Sequence, residues 1–487
     1  MATVFYLICI ILPILSGAAI LIFRFRSARA LKILALAGIC LSSAAAFAAM
    51  IIGTDETILI LPFSNTLSIV FRPDASGRFF LTIVAALWPL TALYACSYME
   101  GSGHLPLFFG FFCISYGVTA AIALAGNLFT MYVFYELLTL STVPLVIHPL
   151  TRDAIRAAKI YFVYCMGGAA LGFASMLFLL SNGAGGLFIP GGTLSSHPYH
   201  PNITCLFYLL GFIGFGVKAA IFPLHAWLPE VSVAPTPVTA LLHAVAVVKA
   251  GAFAVMRLTY NSFGTALLSG TWAQYAVMML SAFTIFYGAS KAVKEIHFKR
   301  RLVYSTVANL SYILFAFSLM TPAGQQAGLL HMAAHACTKI LAFFCAGAVL
   351  HFNNRTMIAD LEGIGRKMPI TFACFTCAAL SLTGIPPFIG FVSKWHILTA
   401  AAGLGSVYPY IGTALLLAAA LLAAVYMFTV VVHVWFPKKG FSPSSVENVR
   451  EADWRMLVPM ILLAAGTILL GVFCGPIVSA AAVAAGM

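Results

Sequence analysis

Five ionisable side chains in this 487-residue chain stand inside otherwise apolar stretches: Glu136, Lys218, Lys249, Lys339 and Lys394. Such a group near the centre of a bilayer costs about 2.5–3.5 kcal/mol on insertion scales, so each needs a reason to be there. Glu136, in MYVFYELLTLSTVPLV, is the one carboxylate near the middle of an apolar run, since Glu230 falls in a proline-rich stretch. A single buried carboxylate among buried lysines is a natural counter-ion, because opposite charges favour each other's ionised form. Burial disfavours an ammonium group, which suits Lys218 and Lys249 to taking and releasing protons. The competing account of a lysine here is that its stem snorkels to the interface. It suits Lys249 least, about eleven residues into its run, and Lys218 better.

The stretch GLLHMAAHACTKILAFFCAG places His331, His335 and Lys339 at steps of four. Such steps drift only about 40° each on a helix of 3.6 residues per turn, so the three make one titratable stripe about 12 Å long, the layout of a proton wire. His243, six residues before Lys249, could join it across a helix interface. Histidines on facing helices, such as His243 and His331, could instead ligate haem iron in a di-haem electron carrier. That reading leaves the lysines without a use. His148, His297, His351 and His433 lie near the ends of apolar runs and receive no special role.

What must position these groups is a membrane bundle. The chain is 62% hydrophobic and 8% charged, against about a quarter charged in ordinary soluble domains. Polar punctuation leaves fourteen apolar runs, from Thr3 to Phe23 through Met456 to Val478, each near the ~20 residues a spanning helix needs. Of the 26 basic residues, 19 lie in or beside loops that follow odd-numbered runs, in clusters such as Arg24/Arg26/Arg29/Lys32, Arg152/Arg156/Lys159, Lys291/Lys294/Lys299/Arg300/Arg301 and Lys438/Lys439. Only Arg72, Arg78 and Arg257 lie by the opposite loops. Excess Lys and Arg mark cytoplasmic loops, which puts both termini outside. The net charge of +13 is then a topology signal, and no nucleic-acid partner is expected. The first ten residues carry no basic n-region, so the first run is expected to remain a helix and not a cleaved leader. The eleven cysteines are scattered as small apolar fillers, and Cys374 and Cys377 have no second pair nearby to complete a metal site.

Two long connections interrupt the pattern. Gly53 to Arg78 alternates as an outer β-hairpin would, and Ser181 to Asn202 is uncharged. Neither can house an active site of ordinary size, so the chemistry belongs at bilayer depth. There, Pro223, Pro229, Pro235 and Pro237 follow the seventh run (Ile203 to Ile221), and Pro386 and Pro387 fall within the twelfth (Ile370 to Phe391). Proline removes a donor and clashes with the preceding turn, so both helices should break and bare carbonyls beside Lys218 and Lys394. Two discontinuous helices in corresponding places are the mark of an inverted repeat. The expected architecture is a single all-α transmembrane domain over 1–487, of about fourteen helices, with five-helix repeat units within 107–260 and 272–436 and breaks in helices seven and twelve.

The segments FRPDASGRFF, FYELLTL, VKAAIFPLHAWLPEVSVAPTPVTALLHAVAVVKAGAFAVMR, KRRLVYSTVANLSYILFAFSL, LLHMAAHACTKILAFFCAGAV and LTGIPPFIGFVSKW, in this order, resemble the antiporter-like subunits shared by respiratory complex I, energy-converting membrane hydrogenases and Mrp-type sodium/proton antiporters. The resemblance covers essentially the whole chain. It implies that Glu136 pairs with Lys218, that Lys249 with His243 before it connects to the central His331, His335 and Lys339, and that Lys394 is the exit-side lysine. It also implies a hydrated axis along which opening and closing of the Glu136–Lys218 pair drives protons. Ala334 departs from the family, which often has Asn there. Lys394 argues against the complex I subunit type that carries glutamate at this place. Long members add a lateral helix after helix fourteen; this chain ends at Met487 and so resembles the short antiporter-like subunits of membrane hydrogenases and the D-type subunit of Mrp antiporters. The implied setting is a prokaryotic cytoplasmic (inner) membrane. Implied partners are other membrane subunits, a peripheral redox arm and transported H+, with Na+ as a further candidate. No cofactor is expected in this chain, with Fe–S clusters, Ni–Fe or flavin confined to partner subunits. The alternative is an Mrp-type antiporter subunit with no redox arm.

Overall fold

A computed structural model describes residues 2–25, 27–53, 56–63, 67–194, 200–438 and 441–487. Arg26 and Lys439 of the basic clusters, the tip of the hairpin and residues 195–199 lie outside the described residues. All fourteen apolar runs fall on helices. Eleven helical stretches among the described residues are long and apolar enough to cross a membrane.

The chain opens with α1 (Ala2–Ile22) and α2 (Ala28–Ile52). The expected hairpin follows as β1 (Ile58–Pro62) antiparallel to β2 (Ser68–Phe71), with an irregularity between Leu59 and Leu61. Next come α3 (Ala75–Tyr98), α4 (Leu105–Leu124), α5 (Leu128–Ile147) and α6 (Arg152–Ser181). Helix starts leave four backbone N–H groups without partners, and here side chains take them up. Asp74 accepts from Gly77, Asn127 from Thr130 and Thr151 from Ala154. The hairpin is tied down by the Val70 N–H, which donates to Thr130 Oγ1 at 2.9 Å.

The seventh run forms α7 (Pro201–Gly216), which stops seven residues before Pro223. An unwound segment leads to α8 (Trp227–Glu230), a 3-10 turn at Val231–Val233, α9 (Thr236–Ala244) and α10 (Val247–Met256). The eighth run, Val238 to Met256, is therefore not one helix. Val245 and Ala246 leave helical geometry, and both N–H groups donate to the Leu241 carbonyl. No proline or glycine marks this break. α10 continues into a π-helical stretch, Arg257–Phe263, a form that recurs at functional sites. α11 (Thr265–Leu268), α12 (Trp272–Lys294), α13 (Phe298–Ser318) and α14 (Pro322–Asn353) follow. The twelfth run splits as expected into α15 (Pro369–Thr383) and α16 (Ile389–Ala402), and α17 (Val407–Trp435) comes next. The last run, Met456 to Val478, also divides, into α18 (Trp454–Val472) and α19 (Gly475–Ala484), where Gly475 and Pro476 restart the helix.

Burial sorts the helices. Every residue in the most apolar stretch of Thr236–Phe263 is buried, as is 89% of that of α14, against 39% for α1 and 33% for α18. α14 packs against α9, α13, α15, α16, α18 and α19. Leu15, Leu41, Leu421 and Leu462 of the outer helices are exposed, as a lipid-facing surface requires. The two innermost stretches carry His243, Lys249, His331, His335 and Lys339.

Candidate functional site

At one end of the bundle α5 brings Glu136 to the unwound segment after α7. Lys218 on that segment is fully buried. Its ammonium donates to the Tyr135 carbonyl and lies 3.3 Å from the centroid of the Tyr135 ring, a cation–π contact. The carboxylate is 3.9 Å away, and the Glu136 side chain keeps 16% of its surface exposed. Neither carboxylate oxygen has a hydrogen-bond partner among the described residues. The lysine is thus anchored by groups other than its counter-ion, and the carboxylate is held to it by charge attraction without a hydrogen bond. On the other side of Lys218 stands Gly251 of α10, where a Cβ would come within 2.8 Å of the Lys218 Cβ and 2.7 Å of the Ala219 nitrogen. A side chain there would wedge α10 off the lysine segment.

In the centre, Lys249 of α10 hydrogen-bonds His335 Nδ1 of α14. The His335 and His331 rings stack with centroids 6.3 Å apart. His331 Nδ1 is 2.9 Å from Ser393 Oγ on α16, and the next residue is Lys394. The Lys394 ammonium donates to the Leu382 and Thr383 carbonyls at 2.6 and 3.1 Å. These belong to the last turn of α15, where carbonyls lack helical partners and the helix dipole is negative. The broken twelfth run therefore makes its own cation seat, and the Tyr312 ring lies 5.2 Å from the ammonium. Lys249, His335, His331, Ser393 and Lys394 are all buried, and the Tyr312 ring, 5.4 Å from the His331 ring, stands between that histidine and the Lys394 ammonium, so the groups follow one another in a row.

The stripe on α14 does not stay whole. Lys339 turns to Ser305 of α13, with the Phe343 ring 5.7 Å from its ammonium. Two steps of four rotate Lys339 by about 80° from His331, enough to face another helix. His243 also stands apart. It is fully buried, both ring nitrogens lack hydrogen-bond partners among the described residues, and its ring packs 5.2 Å from Phe343.

Several participants carry little signal in the sequence. Tyr135, Ser305 and Ser393 are ordinary residues in apolar helices; what marks them is adjacency to Glu136 or Lys394, or one face of α13. Arg257, assigned to an outer loop by its position, is completely buried, and its guanidinium grips both oxygens of Asp74 at 2.5 Å. Asp74 caps α3 and reaches Arg257 at the same time, which explains how an arginine at the end of α10 is tolerated inside the bundle.

A family model described as NADH:quinone oxidoreductase/Mrp antiporter, TM, matches residues 125–410. Subunit N of NADH-quinone oxidoreductase from Desulforudis audaxviator is 31% identical over 435 residues, covering 85% of this chain and 83% of that protein. Hydrogenase-4 component B of Escherichia coli is 30% identical over 430 residues, 82% of this chain and 62% of its own length. Subunit L of NADH-quinone oxidoreductase from Mycobacterium tuberculosis is 32% identical over 403 residues and likewise covered to 62%. The chain thus spans less than two thirds of these longer relatives. Among solved structures, a chain of the membrane-bound sulfane sulfur reductase, an archaeal respiratory membrane complex, superposes with a TM-score of 0.85 at 25% identity, over 99% of this chain and 97% of that one. A chain of the Mrp complex from Dietzia sp. DQ12-45-1b gives 0.84 at 19% identity with the same coverage, a likeness of fold alone.

Proposed function

Since the chain belongs to the NADH:quinone oxidoreductase/Mrp antiporter membrane family, we propose that it is the proton-translocating, antiporter-like subunit of a complex I-related membrane complex. The observation that carries this reading is the buried row Lys249–His335–His331–Ser393–Lys394, with the Glu136–Lys218 ion pair at its other end. Charged groups in an apolar bundle are costly unless paired or hydrated, and where they occur they mark ion pathways. Here each is adjacent to a group that can give or accept a proton. In the proposed cycle, parting of Glu136 from Lys218 changes the field at Lys249, and a proton moves through His335 and His331 toward Lys394.

The family setting supports further parts of the proposal: about fourteen spans with repeats within 107–260 and 272–436, a prokaryotic inner-membrane location with both termini outside, and sister membrane subunits beside this one. The redox arm and its cofactors would lie in other chains. An Mrp-type antiporter with no redox arm, exchanging Na+ for H+, is the second reading, favoured by the family model over residues 125–410, whose description joins the quinone oxidoreductase and the Mrp antiporter. Neighbouring genes separate the two: hydrogenase-like or quinone-reductase-like genes support the first. The direct test is Lys249→Ala in the parent complex, reconstituted in sealed vesicles. Proton uptake or release should fall to background with the subunit still assembled; wild-type translocation would refute the reading.

A further inference from the structure

A cavity of about 640 Å³, unused in the cycle above, opens between the α3–α4 loop, the segment after α8 and the start of α13. Its lining includes Ser102, His148, Ala234, Lys299 and Ala346, and Arg300 and Arg355 of the basic loops stand at its rim. It is therefore on the basic-loop face. We propose that this cavity is the proton inlet, and that Lys299 is the relay residue that passes protons from it to His243 and Lys339. The proposal rests on the proton-translocating reading of the central row.

Three observations converge on it. Lys299 behaves unlike its neighbours in the same basic cluster. Arg300 lies 3.6 Å from Glu295 and is exposed, and Arg301 is bonded to the Glu295 and Tyr426 carbonyls. Lys299 instead turns to the cavity wall, half-buried, with its ammonium donating to the Ala234 carbonyl at 2.7 Å. The wall is also continuous with the central groups. Ala346 on α14 is one turn from Phe343, whose ring touches His243 and the Lys339 ammonium. On α13, Ser305, the partner of Lys339, is six residues from Lys299, about 9 Å along the helix. Finally, His243 is a completely buried imidazole with both nitrogens unpartnered among the described residues. Buried polar groups are nearly always satisfied by protein or by water, and the cavity wall comes within one helical turn of Phe343, the ring against which His243 packs.

The step moves one proton and no electrons. The Lys299 ammonium gives its proton through water to a free ring nitrogen of His243, leaving a neutral amine that is recharged from the aqueous face. His243, now an imidazolium, returns to neutrality by passing a proton on to the Lys339 amine.

Arginine keeps the positive charge and the hydrogen bond to Ala234 but does not release its proton; histidine titrates. In the assembled complex in sealed vesicles, Lys299→Arg should lower proton translocation about tenfold or more, and Lys299→His should recover a measurable part of it. Wild-type translocation in Lys299→Arg, or no recovery in Lys299→His over Lys299→Arg, overturns the relay. A second probe avoids the lysine: Ser102→Cys treated with a bulky maleimide from the basic-loop face should lose translocation, while the untreated variant keeps it. Unimpaired translocation in the labelled variant overturns the inlet. Lys249→Ala separates the two levels. If it is inactive while the Lys299 and Ser102 variants are normal, the inlet alone is wrong; if it too is normal, the proton-translocating reading itself falls.

Discussion

Replacing Glu136 with Gln removes one charge and almost no volume, so it isolates the electrostatic coupling at the end of the row. Unit charges 3.9 Å apart attract by about 4 kcal/mol at an effective dielectric constant near 20. At 1.4 kcal/mol per factor of ten, this coupling biases the charge state of the Lys218 site by about a thousandfold. Lys218 keeps its other anchors, the Tyr135 carbonyl and ring, so the variant should insert and assemble normally. Without the carboxylate, opening and closing of the pair no longer changes the field along the row. Proton translocation should therefore fall by at least tenfold. The assay is quenching of a pH-sensitive dye in sealed vesicles containing the parent complex, normalised to the amount of assembled subunit. Wild-type rates in Glu136→Gln would show that the pair is structural, and the coupling argument would fail.

Asp74→Asn keeps the cap on α3 but strands the fully buried Arg257; with Asp74 partly exposed, the loss should be about 3 kcal/mol, read as a lower unfolding temperature in detergent. Gly390→Ala should impair assembly or translocation measured in the same vesicles, because its Cβ would collide with the Ser381 carbonyl of α15 and push α16, with Ser393 and Lys394, out of place. On the basic-loop face Glu100 is held below the usual carboxylate range, first by the hydrogen bonds from Arg455, against the opposing effect of burial and with help from the charges of Lys32 and Arg455. Its stabilisation is present at neutral pH and lost as acid protonates the carboxylate, so unfolding temperature should drop below about pH 4.5. Arg455→Ala should flatten part of that dependence; an unchanged profile would refute the assignment.

The ionisable residues were legible in the sequence because lysine and glutamate are conspicuous against apolar surroundings. The breaks near Lys218 and Lys394 were legible because proline announces them. Other features carry no such signal. The break at Val245 and Ala246 has neither proline nor glycine, and depends on how α9 and α10 are gripped by their neighbours. α7 ends at Gly216, ahead of the prolines that follow it, because the unwinding extends back through Lys218. The divergence of Lys339 from His331 lies within the drift of an ordinary helix, and only the positions of α13 and α16 decide which partner each meets. Asp74 and Arg257 are 183 residues apart, a pairing that no local pattern expresses. The serines that complete the row, Ser305 and Ser393, look like any small polar residue tucked into a helix.

α14 contains 32 residues and so is about 48 Å long, well beyond a hydrocarbon slab of about 30 Å. A free rod of that length would tilt according to the thickness of its membrane. This one is gripped on nearly all sides by other helices, which set its angle in place of the lipid. Thickness mismatch then falls on the peripheral helices, and the central rod with its histidines is mechanically insulated from changes in acyl-chain length.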